Sequence, residues 1–569
     1  MRSWAGFVPE NLPKWSWQDF EPYYAELVGA HLHDMHDFLS KWTELSEAVD
    51  ESFSRLHVAV TVNTQDEEAK NRYQTFLSDV YPNAEEQEQA LKRRLLESGQ
   101  EMPARFEIPF LHIKQEVELF RSENLPLLVE ERLLENEYDK TIGAQTVNWN
   151  GEEITVTQLR PYFQDRNRAT REEAWRAALA RQMQDREAIN ELWVKFLSLR
   201  GTIAGNADFS DYRSYRWKQL MRLDYTPADC KEFHDAIRKT VVPAAARLYE
   251  KRRDALGVTT LRPWDLDVDP YGRPPLKPFR EVSDLTSTCG AIFSQMDERL
   301  GAYFRRMERE HLLDLDNRKN KAPGGYCTDF PASRKPFIFM NAVGIHDDVQ
   351  TLLHEAGHAF HTFERASLPY YQQQHTPMEF AEVASMAMEL LAGDFLESES
   401  GGFYSREEAL RARTEHLEKT ILFWPYMAVV DAFQHWVYEN PTEAQDPCAC
   451  DGQWRDIWNS FMGWIDWSGL EDELATGWQR KLHIHTVPFY YVEYGLAQLG
   501  ALQVWERSLT NRSGALDSYL SALSLGGTVS LPQLYATAGA VFTFSSSALA
   551  KAVSLAESAI ERPEGIKNP

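Results

Sequence analysis

The run DDVQTLLHEAGHAFHTFE, residues 347–364, constrains the fold of this chain more tightly than any other stretch. At about 100° per residue, Val349, Leu352, Leu353, Ala356, Phe360 and Phe363 fall on one stripe, and His354, His358 and His361 fall on the opposite side. This periodicity predicts a helix with one face in a core, and Asp347 or Asp348 is placed to cap its start. Imidazoles at i and i+4 then converge on one point, as the first two nitrogen ligands of a tetrahedral zinc ion require. Glu355 flanks that point and is placed to take a proton from water held there. An HExxH string also arises by chance, and a solvated polar helix face is the plain alternative.

A third ligand separates the two readings. A metzincin would carry a further histidine six residues after His358, and that position is Glu364. His361 reads as a packed or supporting side chain. The next helical segment, PMEFAEVASMAMELLAGDF, turns Phe380, Val383, Ala384, Ala387 and Leu391 to one side and Glu382, Ser385 and Glu389 to the other. Packed antiparallel on the histidine helix, it would add a carboxylate. Glu382 is the expected ligand; Glu379 and Glu389 are the alternatives, or else outer partners of the histidines. Two histidines, a glutamate and a vertex open to water make the catalytic arrangement of zinc, not the closed structural one, with one ion per chain.

The rest of the chain supplies the frame. Its 569 residues, 43% of them hydrophobic, are enough for more than one core. The expected division is a helical region at 1–195 with a small hairpin, and a catalytic domain at 196–569. The hairpin is TVNWNGEEITVT, turning at Asn150-Gly151. A capping box of Thr170 and Glu173 is expected to open one long helix through Leu179, Ile189 and Phe196. With 60 basic against 86 acidic residues, the formal charge of −26 repels phosphate backbones and anionic membranes, so neither nucleic acid nor membrane is an expected partner. No signal-like start or bilayer-length apolar run is evident, which makes the cytoplasm the expected location. The five cysteines, including the Cys448/Cys450 pair, read as reduced thiols. The sequence carries no signal for oligomeric state.

HEAGHAFH followed by FAEVAS resembles the thimet oligopeptidase and oligoendopeptidase F family of zinc metallopeptidases, closer to the oligoendopeptidase F branch. GGYCTDFPASRKPFIFMN (324–341) and HIHTVPFYYVEYGLAQLGALQVW (483–505) are similar to the segments flanking that family's zinc helix. RNRATREEAWRA and LRGTIAGNADFSDYRSY extend the likeness more loosely. The resemblance implies a mainly α, zincin-like metallopeptidase with small β elements and a deep substrate channel between two helical halves. It implies zinc on His354, His358 and Glu382, with Glu355 as general base, hydrolysing internal bonds of short unstructured peptides. It assigns His483, Tyr491 and Tyr494 to the charge developing on the scissile carbonyl, with His485 and Tyr490 as rivals. It also makes PFIFMN an edge strand pairing with the peptide backbone. Gly324, Gly325, Phe337, Phe339 and Tyr490 are accordingly the expected substrate contacts. Pro488 is expected in the first turn of the tyrosine helix. Two other readings remain: an exopeptidase (carboxypeptidase or dipeptidyl carboxypeptidase), and a catalytically silent peptide binder, which has no use for Glu355.

Overall fold

Phe38, Leu39, Trp42, Leu45 and Leu56 recur at helical spacing and are buried along one side of α1 (Met35–Val62). The helix starts where the Asp34 carboxylate accepts from the backbone N–H groups of His36 and Asp37. In this computed structural model, which describes residues 6–562 apart from 319 and 323, α1 anchors one apolar cluster. That cluster draws on residues between Leu12 and Ile113 and is joined by Tyr370 from later in the chain. A second, larger cluster gathers side chains from Leu119 to Ala559. Almost everything between is helix.

The hairpin forms as expected: β1 (Thr146–Trp149) pairs antiparallel with β2 (Glu152–Thr155), and Asn150 and Gly151 both have positive φ, 54° and 88°. The long helix after it does not. It is two helices, α2 (Arg168–Met183) and α3 (Arg186–Asn206). Asn167, not Thr170, caps α2, its side chain accepting from the Ala169 N–H. The break falls at Asp185, whose carboxylate receives the side chains of Arg181 and Gln145. The two halves serve different clusters: Ala174, Ala178 and Leu179 pack with Trp149, whereas Ile189, Leu192 and Phe196 pack with Tyr138.

After α4 (Pro227–Leu256) come the three strands of the only larger sheet among the described residues: β3 (Leu313–Asp316), β4 (Tyr326–Phe330) and β5 (Lys335–Ala342). The order is β3-β5-β4, with β3 parallel and β4 antiparallel to β5. PFIFMN therefore lies in the central strand, and β3 and β4 are the two edges. Pro336 to Met340 are buried without alternation, the signature of a strand covered on both faces.

β5 leads into α5 (His346–Arg365), then α6 (Met378–Ala392), the long α7 (Arg406–Glu439), the short α8 (Leu482–Thr486) and α9 (Tyr491–Ser508). α6 packs against α5 and against α9, which brings the histidine, glutamate and tyrosine segments together. No described helix is long and apolar enough to cross a membrane. All five cysteines are free.

Candidate active site

The start of α5 is fixed by Asp348, whose Oδ2 accepts from the backbone N–H groups of Val343, Gly344 and Ile345 at 2.8, 2.8 and 3.0 Å. Asp347 instead pairs with Lys419 at 2.9 Å. The stripe from Val349 to Phe363 is buried as its periodicity requires. At Gly357 the next helix passes very close: a Cβ there would lie 2.6 Å from both the Ala384 carbonyl oxygen and Ser385 Cα. Contacts run in opposite senses along the pair, His354 to Glu389, His358 to Glu382 and His361 to Phe380, so α5 and α6 are antiparallel.

At this crossing His354 Nε2 lies 3.4 Å, and His358 Nε2 3.8 Å, from Glu382 Oε2. The three donor atoms fall within 4.8 Å of one another. Tetrahedral zinc with bonds near 2.0–2.2 Å holds its donors about 3.4 Å apart, so this set fits the ion. The imidazoles are 23% and 22% exposed and the carboxylate 4%, which leaves the shared point reachable from the histidine side.

The neighbours hold this geometry. His354 Nδ1 meets Glu389 Oε1 at 2.6 Å, which turns Nε2 toward the shared point. Glu382 accepts from Ser385 Oγ at 3.1 Å and from the Tyr490 hydroxyl at 2.7 Å. Burial disfavours a charged His354, yet Glu382 and Glu389 outweigh it and hold its pKa well above the usual histidine range. Burial pushes His358 down to about 4. It also works to raise Glu382, but the hydrogen bond from His354 and the nearby His358 bring that carboxyl to about 2. Glu355, buried beside it, is pushed up to about 7 by burial, with His354 opposing the rise and Glu382 and Glu389 adding to it. The backbone N–H of Cys327 on β4 works in the opposite direction and lowers it.

Removing the charge on the outer carboxylate tests its grip on the ring. Glu389→Gln is expected to weaken zinc binding about 10- to 100-fold with the fold retained. Competition with a chromophoric chelator measures this; unchanged affinity would detach Glu389 from the site.

The tyrosine segment departs from expectation. α9 begins at Tyr491, so Pro488 lies ahead of the helix, not in its first turn. Between them Phe489, fully buried, adopts φ +65°, an uncommon state for an aromatic residue. Its N–H donates to Gln434 Oε1 at 2.7 Å and its carbonyl accepts from Arg222 Nη2 at 2.6 Å. That kink sends Tyr490 to Glu382, while Tyr491 packs beneath Lys481, 4.2 Å from Nζ to the ring centroid. The His483 ring centroid lies 5.0, 5.9 and 6.0 Å from those of Tyr491, Tyr494 and Tyr490. His483 Nδ1 is buried with no hydrogen-bond partner among the described residues.

Several expected contacts are displaced. Tyr490 is committed through its hydroxyl to Glu382, so it positions a candidate ligand and is not a free substrate contact. Phe337 and Phe339 are core residues, the latter stacked on Tyr326 at 4.8 Å. His485 is fully buried and stacked 4.4 Å from Tyr138, away from the rival role beside His483. Glu379 accepts from the Tyr225 hydroxyl at 2.5 Å and lies 3.5 Å from Arg222, so it is neither a ligand nor a partner of the histidines. Gly324, with φ +94°, and Gly325 form the approach to β4, where Asn341 Nδ2 donates to the Gly324 carbonyl at 3.0 Å. Sequence reasoning missed Gly357, Phe489, Gln434 and Arg222. Only Gly357 carried a local signal, as a helix-interior glycine between two histidine positions.

With this geometry in hand, known families offer a direct comparison. The pattern that defines peptidase family M3 matches residues 162–554. The chain belongs to this family. Oligopeptidase PepF of Bacillus subtilis (strain 168) is 21% identical over 389 residues, 66% of this chain and 55% of the relative. The chromosomal oligoendopeptidase F of Lactococcus lactis subsp. cremoris is 24% identical over 394 residues, 65% of this chain and 61% of the relative. The matched stretch therefore spans less than two thirds of these curated relatives. Among solved structures, PZ peptidase A with an inhibitor aligns with a TM-score of 0.88 at 27% identity, covering 99% of this chain and 98% of that one. An oligoendopeptidase F structure aligns with a TM-score of 0.89 at 27% identity, covering 97% of each chain. This M3 member thus has the mainly α fold of the oligoendopeptidase F branch.

Proposed function

We propose that this M3 family member is a zinc-dependent oligoendopeptidase that hydrolyses internal bonds of short, unstructured peptides in the cytoplasm. One observation carries the reading: three donor atoms from His354, His358 and Glu382 converge on a reachable point, with the buried carboxyl of Glu355 beside it. Zinc held by these three residues would supply Lewis acidity, for a water brought toward a pKa of 7 and for the scissile carbonyl. Glu355 accepts the proton from that water on its carboxylate and returns it to the leaving amine. Tyr494, Tyr491 and His483 form the donor wall for the oxygen on which charge develops. β4, the edge strand of the sheet that packs against α5, offers main-chain pairing to an extended peptide, which is indifferent to side-chain identity. Five free thiols suit a reducing compartment.

An internally quenched peptide blocked at both ends tests the proposal. Cleavage is expected, its loss on chelation, and its return with zinc. Hydrolysis that requires a free C-terminus would indicate an exopeptidase, and no chelator-sensitive cleavage of any peptide would leave a binding protein. Tyr494→Phe is expected to lower kcat more than it raises KM, because the hydroxyl acts on charge absent from the ground state. An unchanged kcat removes Tyr494 from that wall.

A further inference from the structure

The apolar cluster anchored by α1 encloses a cavity of about 300 Å³, walled by α1, by the helices Tyr81–Glu97 and Glu107–Leu119, and by the turn that follows α5. Its lining holds four carboxylates, Asp50, Glu85, Glu88 and Glu116, against Lys92 and Arg132. Both cations are engaged elsewhere: Lys92 Nζ lies 3.1 Å from Glu116 Oε2, and Arg132 Nη2 donates to the Tyr81 hydroxyl at 3.1 Å. The hydrogen-bond donors to Asp50 and Glu88 are all neutral. Asp50 Oδ2 accepts from the Tyr371 hydroxyl at 3.0 Å. Glu88 accepts from the Tyr24 hydroxyl and Ser46 Oγ, each at 3.0 Å, and from Trp42 Nε1 at 2.7 Å. A third acceptor has no donor at all: Gln372, 8% exposed, lines the same cavity, and its Oε1 has no hydrogen-bond partner among the described residues.

Carboxylates withdrawn from water and bonded only to neutral groups carry a cost that a cation in the cavity would offset. Burial pushes Asp50 up to about 6, with the Tyr371 hydrogen bond opposing it, and raises Glu88, with Lys92 opposing. The cavity also stands beside the strand offered to substrate. α1 packs on β4, and the charge of Asp329 on β4 acts on both Asp50 and His358. We propose that this cavity is a specificity subsite that takes a lysine or arginine side chain of the peptide lying along β4. The inference rests on the oligoendopeptidase reading and adds what that enzyme selects. Val49, Phe53 and Ile113 would flank the aliphatic stem, while Asp50, Glu88 and Gln372 accept from the ammonium or guanidinium head. Main-chain pairing ignores side chains, so one charged pocket beside it imposes a preference at a single position on otherwise broad cleavage.

Quenched peptides with one lysine, moved residue by residue along a neutral sequence, test this against partners carrying norleucine, which keeps the stem and drops the charge. The wild type is expected to favour lysine about 10-fold in kcat/KM at one position relative to the cut bond. Asp50→Asn, whose amide oxygen can still accept from Tyr371, should bring that ratio near one. Gln372→Met, which removes an acceptor that has no partner to lose, should lower it. Cleavage without preference at any position, or a preference that both variants keep, would overturn the subsite and leave the endopeptidase standing. The wild-type comparison decides the first of these whether or not a variant folds. No chelator-sensitive cleavage of any peptide would instead overturn the endopeptidase, and calorimetry then reads the subsite without turnover. Lysine peptides binding the wild type about 10-fold tighter than their norleucine partners would support it, and equal binding would overturn it.

Discussion

Glu355→Gln is expected to keep its zinc and lose roughly 10²–10⁴-fold in kcat on a quenched peptide, the usual yield of a positioned general base. The amide has the size of the carboxylate, so the packing of α5 is left as it is. What it lacks is an atom that takes up a proton at neutral pH. The same substitution has a stability signature in the metal-stripped protein. Burial raises the folded-state pKa of Glu355 from 4.5 to about 7, so the folded chain binds more protons than the unfolded one between those values. Stability that Glu355 contributes at low pH is therefore lost as pH rises through this window. Metal-stripped Glu355→Gln should exceed metal-stripped wild type in Tm at pH 8, with the gap shrinking toward pH 5. Metal content, kcat and the two melting profiles check the set; wild-type turnover by the variant would end the role of Glu355 as base.

What the sequence disclosed, and what it withheld, follows the range of the forces involved. The α5 stripe and the facing of His354 and His358 are local consequences of helical periodicity, and the structure repeats them residue for residue. Which carboxylate serves which histidine was less legible. Glu379, Glu382 and Glu389 share one helix, and the choice depends on the axial offset of α5 against α6, set by the backbone approach at Gly357. Strand order was hidden for a similar reason. β5 pairs with β3, contributed by residues more than twenty positions upstream, so PFIFMN becomes central and GGYCTDF supplies one of the two edges. The kink at Phe489 has no glycine to announce it; it rests on Gln434 and Arg222, remote in sequence. A single left-handed residue then decides that Tyr490 braces Glu382 while Tyr491 packs under Lys481.

Gly357→Ala should damage the metal site without touching a ligand. The added Cβ would sit 2.6 Å from the Ala384 carbonyl oxygen and from Ser385 Cα, both backbone atoms of α6 that cannot rotate away. α5 and α6 must separate by several tenths of an ångström, and this shift spreads the two histidines from Glu382, which they approach across the same crossing. Overpacking of this kind costs about 1–3 kcal/mol, and a tetrahedral ion tolerates little spreading of its donors. The expected result is a lowered Tm together with weaker zinc binding, both worse for Gly357→Val. Gly201→Ala is the counterpart: it lies inside α3, where an added Cβ would meet nothing within 4 Å, so there the same substitution should raise stability by about 0.4–1 kcal/mol. Opposite signs from one chemical change would isolate the helix crossing as the cause. Equal and harmless effects at both positions would show that the two helices do not hold the metal donors through their contact at Gly357.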